Sequence, residues 1–372
     1  MSLKNFSDVI IIGAGITSLS CALVIVNAGY SVKIIGISNK SEGGIQLATN
    51  SFTALKEIGL LDKLNEELSP INSILIKNLY NNTKICEFDI PKNQNYGCIS
   101  RETLKSILLQ KVMSEQKIQI HNEVVITLDI DKKNSNEKAS IITKDGNRYF
   151  CDHVIGTDGK NGISIKYFDT HFTQSSSHVA IVAEMFSKNL PETFQMSKSQ
   201  LWVGNGCHLV TYPIEKYKKI NIVFCHSQER ANLNWKDEFK YNFVLKDFIN
   251  TKIQWKKIAI PKSNCLQVWQ RGKLTVIGET AHNISPHLAQ GMGQNFMDIA
   301  LLKKKLQKYS LEESLSLMTS QRSIEIKKLI LKAELTGKVL RLKGFKSKIR
   351  NLFLGLSNKK FLKLWLTDVW NI

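Results

Sequence analysis

Residues 8–14 read DVIIIGA, a near-continuous apolar run closing on glycine, the pattern of a strand buried on both faces. From 15 to 28 the period changes. Ile16, Leu19, Ala22, Leu23 and Val26 recur at helical spacing, and Gly29 stands where such a helix stops. Residues 31–37, SVKIIGI, return to a strand, so the opening segment predicts a strand–helix–strand unit. Further helices are expected over 51–67 (Phe52, Leu55, Ile58, Leu61) and 100–116 (Leu104, Ile107, Leu108, Val112). Residues 72–90 and 176–226 differ: short β-type runs such as HVAIVAEMF and INIVFC alternate with turn residues, as in an antiparallel sheet. Buried strands recur at 148–156 and 273–278, and from about 293 the pattern is helical and basic. Nucleotide-type segments therefore flank sheet-type ones. The order predicts an α/β chain with a discontinuous Rossmann-like domain (1–71, 92–170, 262–330), an inserted antiparallel β-sheet domain (72–91, 171–261) and basic amphipathic C-terminal helices (331–372).

Composition narrows this picture. The 372 residues are 43% hydrophobic and 22% charged, an ordinary soluble globular balance with enough chain for one large core or two merged domains. Seven cysteines form no CxxC pair and are odd in number, which suits neither a disulfide framework nor a zinc site and favours a reducing, cytoplasmic setting. The N-terminus lacks the order of a signal peptide. The apolar stretch from Val9 to Tyr30 matches a membrane span in length, but Gly13 and Gly15 divide it into strand and helix. The net charge of +19 comes without aromatic interleaving or a known nucleic-acid module, so no nucleic acid is expected. His282 and His287 are not at metal-ligand spacing and no metal is expected. Residues 301–372 hold seventeen Lys or Arg against five Asp or Glu. That tail reads as helices packed on the body, as a helix peripheral on a membrane surface, or as a partner contact, and the pattern leaves all three open, together with monomer or homodimer.

Three glycine-centred turns carry the chemistry. In Gly13-Ala-Gly15-Ile-Thr-Ser18, two glycines let the backbone approach a pyrophosphate at a helix N-terminus, and a small third residue permits close helix–strand packing. The end of the second strand, where an acid usually meets the ribose hydroxyls, is Gly36, and the nearest acid is Glu42. The second turn is Val154-Ile-Gly156-Thr-Asp158-Gly159. The third is Gly278-Glu279-Thr-Ala281-His282, followed by Pro286-His-Leu-Ala-Gln290-Gly291-Met-Gly293 and a helix containing Asp298.

These turns, in this order, resemble the class A flavoprotein monooxygenases, the para-hydroxybenzoate and salicylate hydroxylase group, over about residues 8–330. Gly43–Asn50, Ser100-Arg101-Glu-Thr-Leu104 and Gly204–Pro213 resemble further segments of that group. The resemblance implies FAD held at its pyrophosphate by Gly13, Gly15 and Ser18, with Arg101 on the flavin side. It places Asp158 and Gly159 in the turn linked to FAD and nicotinamide use, Glu279 at the ribityl chain, and Pro286, Gln290 and Gly291 beside the ring. It further implies NADH or NADPH as co-substrate, O2, a flavin C4a-hydroperoxide, and a small phenolic or heteroaromatic acid as substrate. The chain departs from the group at Gly36, Glu279, Gly162, Ile165 and Met297. His208 and Tyr212 match the group's base and its orienting tyrosine, with Gln290 assisting. Four residues apart on a strand, they face one side. The same spacing also fits a structural histidine and a core tyrosine. Two alternatives stay open: a membrane-associated ubiquinone-precursor hydroxylase of the same group, and a degenerate flavin- or ligand-binding protein without turnover.

Overall fold

The computed structural model describes residues 6–131, 137–168, 178–191, 194–227, 234–251, 253–356 and 360–370. Phe6–Ile12 lies at the centre of an eight-stranded sheet, parallel to Val32–Ile35 on one side and to Arg148–Gly156 on the other. Ile118–His121 and Leu274–Val276 extend these parallel pairings outward. Val9 and Ile11 face a core shared with the helices Ile16–Asn27, Arg101–Met113 and Gly291–Leu306. Ile10 and Ile12 face a second core with Val154 and Val276. Burial on both faces is why the first strand shows no polar alternation.

The second sheet has seven strands, in the order Lys256–Ile260, His178–Phe186, Lys219–Ser227, Cys207–Ile214, Lys198–Val203, Ser73–Asn78 and Lys84–Asp89. All its pairings are antiparallel except that of Lys198–Val203 with Ser73–Asn78, which is parallel and draws a distant segment into the sheet. On Cys207–Ile214 the residues alternate. Tyr212 and Ile214 pack toward the nucleotide-type body, while Cys207 and Leu209 join Phe224, Phe239 and Phe248 on the far face.

The helix expected over 51–67 is two, Thr49–Glu57 and Leu61–Asn65, parted where Gly59 takes φ +74°. The helix expected over 100–116 is Arg101–Met113, capped by the Ser100 hydroxyl accepting from Thr103 N–H. Residues 171–177 of the expected inserted sheet lie outside the described residues. One thirty-residue helix, Leu311–Leu340, runs unbroken through position 330, where the sequence placed a boundary. The shorter helices Phe345–Leu356 and Lys360–Trp370 follow it, and Trp370 closes on Phe88 and Tyr96. Among the described residues no helix is long and apolar enough to cross a membrane.

Candidate active site

Gly13 leaves the first strand at φ +111°, and a Cβ there would lie 2.8 Å from the Thr157 carbonyl oxygen. Conformation and space both demand glycine. Gly15 caps the helix Ile16–Asn27, whose first N–H groups and positive dipole end open onto a groove. That groove is a cavity of about 730 Å3 lined by Gly13, Gly15, Arg101, Asp158, Gly159 and Glu279, all expected at the cofactor. Ser18 is not among its lining residues. Its buried hydroxyl accepts from Gly15 N–H (3.2 Å) and shares a 2.7 Å bond with Thr157, so it braces the turn from beneath instead of facing the groove. Pro286 and Gly291 do not line the groove either.

Asp158 accepts from Ser164 N–H at 3.0 Å, its other oxygen has no partner, and burial raises its pKa. A Cβ at Gly162 would meet this carboxyl at 2.1 Å, which explains glycine there. Gly159 N–H donates to the Thr280 hydroxyl (2.8 Å) and joins the second turn to the third.

Gly36 is crowded: a Cβ would sit 2.8 Å from the Gly13 backbone. Glu42 is exposed, pairs with Lys256 at 3.0 Å and does not line the groove. Besides Asp158 and Glu279, a third acid does line it: Glu123, which no motif singled out. It follows Ile118–His121, the strand paired to Val32–Ile35, and it accepts from Tyr149 (2.6 Å), Thr143 (2.7 Å) and Asn147 (3.0 Å). Burial pushes its pKa up, but these hydrogen bonds outweigh burial and hold it below the usual carboxylate range. No sequence pattern announces that neighbour relation. Lys105 also lines the groove, with Nζ donating to the Asn39 carbonyl.

The third turn rests on a buried ion cluster that the sequence did not announce. Asp298 accepts from Gly278 N–H (3.2 Å), His282 Nε2 (2.7 Å) and Arg322 Nε (2.7 Å). Burial alone would raise its pKa; His282 and Arg322 outweigh that and hold it low. His282 is thus held by a buried carboxylate. Beyond it the loop turns through Ala289 at φ +53°. Gln290 is fully buried: its Oε1 accepts from Asn50 (2.8 Å) and Gln294 (3.1 Å), and its Nε2 has no partner.

His208 and Tyr212 share a face of their strand, yet their surroundings differ. Tyr212 Oη donates to the Gly44 carbonyl at 3.0 Å, and its ring fills the space a Cβ on Gly44 would need. His208 is 2% exposed, its Nδ1 has no partner, and its ring packs edge-on to His287 at 5.5 Å. Burial first, then the neighbouring His287, Arg341, Arg350 and His178, draw its pKa well below 6.5. It is therefore a neutral imidazole at neutral pH. His287 Nε2 accepts from Arg341 Nη1 at 2.6 Å, and burial with Arg341 takes its pKa down to about 3. The long helix reaches this loop only because Gly337 lacks a side chain; a Cβ would lie 2.3 Å from His287 Cδ2. The result is a neutral imidazole beside the Arg341 and Arg350 guanidiniums, where an anionic phenol is favoured over a neutral one.

Residues 7–318 match the family model described as FAD binding domain. The chain is 23% identical to 3-hydroxybenzoate 6-hydroxylase of Polaromonas naphthalenivorans, covering 98% of this chain and 96% of that protein. It is 20% identical to the Klebsiella oxytoca protein of the same name, over 92% of this chain and 91% of the relative. Among solved structures, Klebsiella pneumoniae HpxO complexed with FAD and uric acid superposes with TM-score 0.85 at 16% identity, over 98% of this chain and 96% of the other. The fold expected from the sequence is thus the observed one, and the cofactor is FAD.

Proposed function

We propose that this chain, which belongs to the FAD binding domain family, is an FAD-dependent monooxygenase that hydroxylates a small aromatic acid, using NADH or NADPH and O2. The groove fits the cofactor. Gly13, Gly15 and the helix N-terminus would hold the pyrophosphate, and Arg101, Asp158, Gly159 and Glu279 its length. Glu123 would take the ribose hydroxyls in place of the missing acid at 36, and Pro286 and Gly291 would flank the ring. FAD supplies electron transfer and oxygen activation when bound.

The observation that carries this reading is the buried, neutral and unpartnered Nδ1 of His208. His208 takes the phenolic proton, because a phenolate ring is the stronger nucleophile toward an oxygen electrophile. Arg341 and the Nδ1–H of His287 orient the substrate carboxylate. Gln290 Nε2 donates to the substrate or the flavin edge, and Tyr212 holds the Gly44 backbone under them. A reducing compartment, the cytoplasm, suits the cysteines.

The test is a panel of hydroxybenzoates and heteroaromatic acids, read by NAD(P)H consumption together with hydroxylated product. A yellow protein giving product with at least one acid supports the reading. A colourless protein unable to take up added FAD, or NAD(P)H oxidation without any hydroxylated product, defeats it.

A further inference from the structure

Helix Phe345–Leu356 is turned inside out. Its buried side is polar: Arg350, 3% exposed, donates to the carbonyls of Leu340 (2.7 Å) and Gly204 (2.9 Å) and to the Asn351 side chain. Its outward side is apolar. Phe345 is 75% exposed, Ile349 50%, Leu352 62% and Leu356 72%, and their spacing puts them on one stripe. A helix on a water-soluble body ordinarily does the reverse. The orientation is fixed, since rotating the stripe inward would strip the Arg350 guanidinium from two carbonyls. The turn before the helix is also fastened, with Gly206 N–H on the Leu342 carbonyl and Gly344 N–H on Asn205 Oδ1. Leu364 on the next helix is exposed as well.

Charge identifies the occupant. Between Glu334 and Asp368 the sequence holds nine Lys or Arg and no acid, and Lys346, Lys348 and Lys363 are exposed. A second copy of this chain would bring two such basic faces together across a two-fold axis. Protein interfaces are depleted of lysine, whereas membrane-surface helices carry lysine beside Leu and Phe. At twelve residues the helix is about 18 Å long, against roughly 30 Å for a hydrocarbon core, so it can lie on a bilayer but not cross it.

We propose that the outward face of helix Phe345–Leu356 docks the protein on an anionic lipid surface. Phe345, Ile349, Leu352 and Leu356 enter the headgroup boundary, and Lys346, Lys348 and Lys363 meet lipid phosphates. This stands apart from the catalytic reading; neither needs the other.

The experiment is flotation of the full-length protein with phosphatidylcholine vesicles, with and without phosphatidylglycerol, alongside light scattering without lipid. Binding to the phosphatidylglycerol vesicles should exceed binding to neutral ones by about tenfold and weaken with salt. Ile349→Ser with Leu352→Ser should abolish it, and Lys346→Glu with Lys348→Glu should weaken it by about tenfold. The second pair keeps the test alive should the first fail to fold. No flotation of the wild type, equal binding to both vesicle types, or variants that bind like the wild type would overturn the proposal. So would a dimer that Ile349→Ser dissociates, with no uptake by vesicles, which would assign the face to a second copy.

Discussion

A glutamate at position 36 would bring its Cβ to within 2.8 Å of the Gly13 backbone, closer than nonbonded carbons come. Restoring the acid that dinucleotide sites usually carry there should therefore fail. Gly36→Glu is expected to lose about 1–3 kcal/mol through overpacking and to lower the FAD-to-protein ratio on purification. Tighter FAD binding with an unchanged thermal midpoint would show that the groove tolerates the side chain. The absence of the acid was plain in the sequence. Its cause was not, because Gly13 and Gly36 meet only across a strand pair. His208 poses the complementary question, since its strand parity was legible and its environment was not. His208→Gln should cut ring hydroxylation by roughly 10²–10⁴-fold while the protein stays yellow. Turnover within a factor of two of the wild type would take the proton-accepting role away from it.

At the scale of elements, helix Leu311–Leu340 does more than its amphipathic pattern foretells. Through Arg322 it supplies the counter-charge for Asp298, and through Gly337 and Arg341 it backs the His287 loop. Asp298→Ala would leave a guanidinium at 1% exposure without its carboxylate. Stability should then fall by about 3–5 kcal/mol, read as a lower urea midpoint, with FAD lost at lower denaturant because the Gly278 turn loses its anchor. A loss below about 1 kcal/mol would mean that Glu325, which also meets Arg322, suffices. The glycine turns themselves could be read from sequence, since Gly13 at +111° and Gly278 at +65° admit little else. So could the buried strands, whose apolar runs follow from packing on both faces. Partner choice between separate elements has no period to read, which is why the Asp298–His282–Arg322 cluster, Glu123 and the inverted C-terminal helix came only with the fold.

Over the whole molecule, buried histidines set how stability responds to acid. His153, His208 and His287 all have depressed pKa values, His153 and His287 down to about 3, with burial the first cause in each. Unfolding returns each to about 6.5, so below that pH the unfolded chain binds protons that the native chain refuses. Stability should be level above about pH 6.5 and decline steadily as the pH falls toward 3, by about 2 kcal/mol per such histidine at pH 5. Asp298 adds nothing between pH 7.5 and 5, because a depressed carboxyl begins to lose its contribution only as the pH nears its unfolded value of about 3.9; below that it adds to the decline. Asp158, raised by burial, works the other way: it gains a proton more readily when folded and offsets part of the loss at the acid end. Urea denaturation at pH 7.5 and pH 5 measures the difference directly. His153 isolates one contributor, since its ring bonds only Thr275 at 2.8 Å among the hydrogen bonds described and lies away from the groove. His153→Asn should shrink the difference by about 2 kcal/mol. An unchanged difference would mean that His153 takes up its proton in the native state, and that the acid sensitivity belongs to His208 and His287.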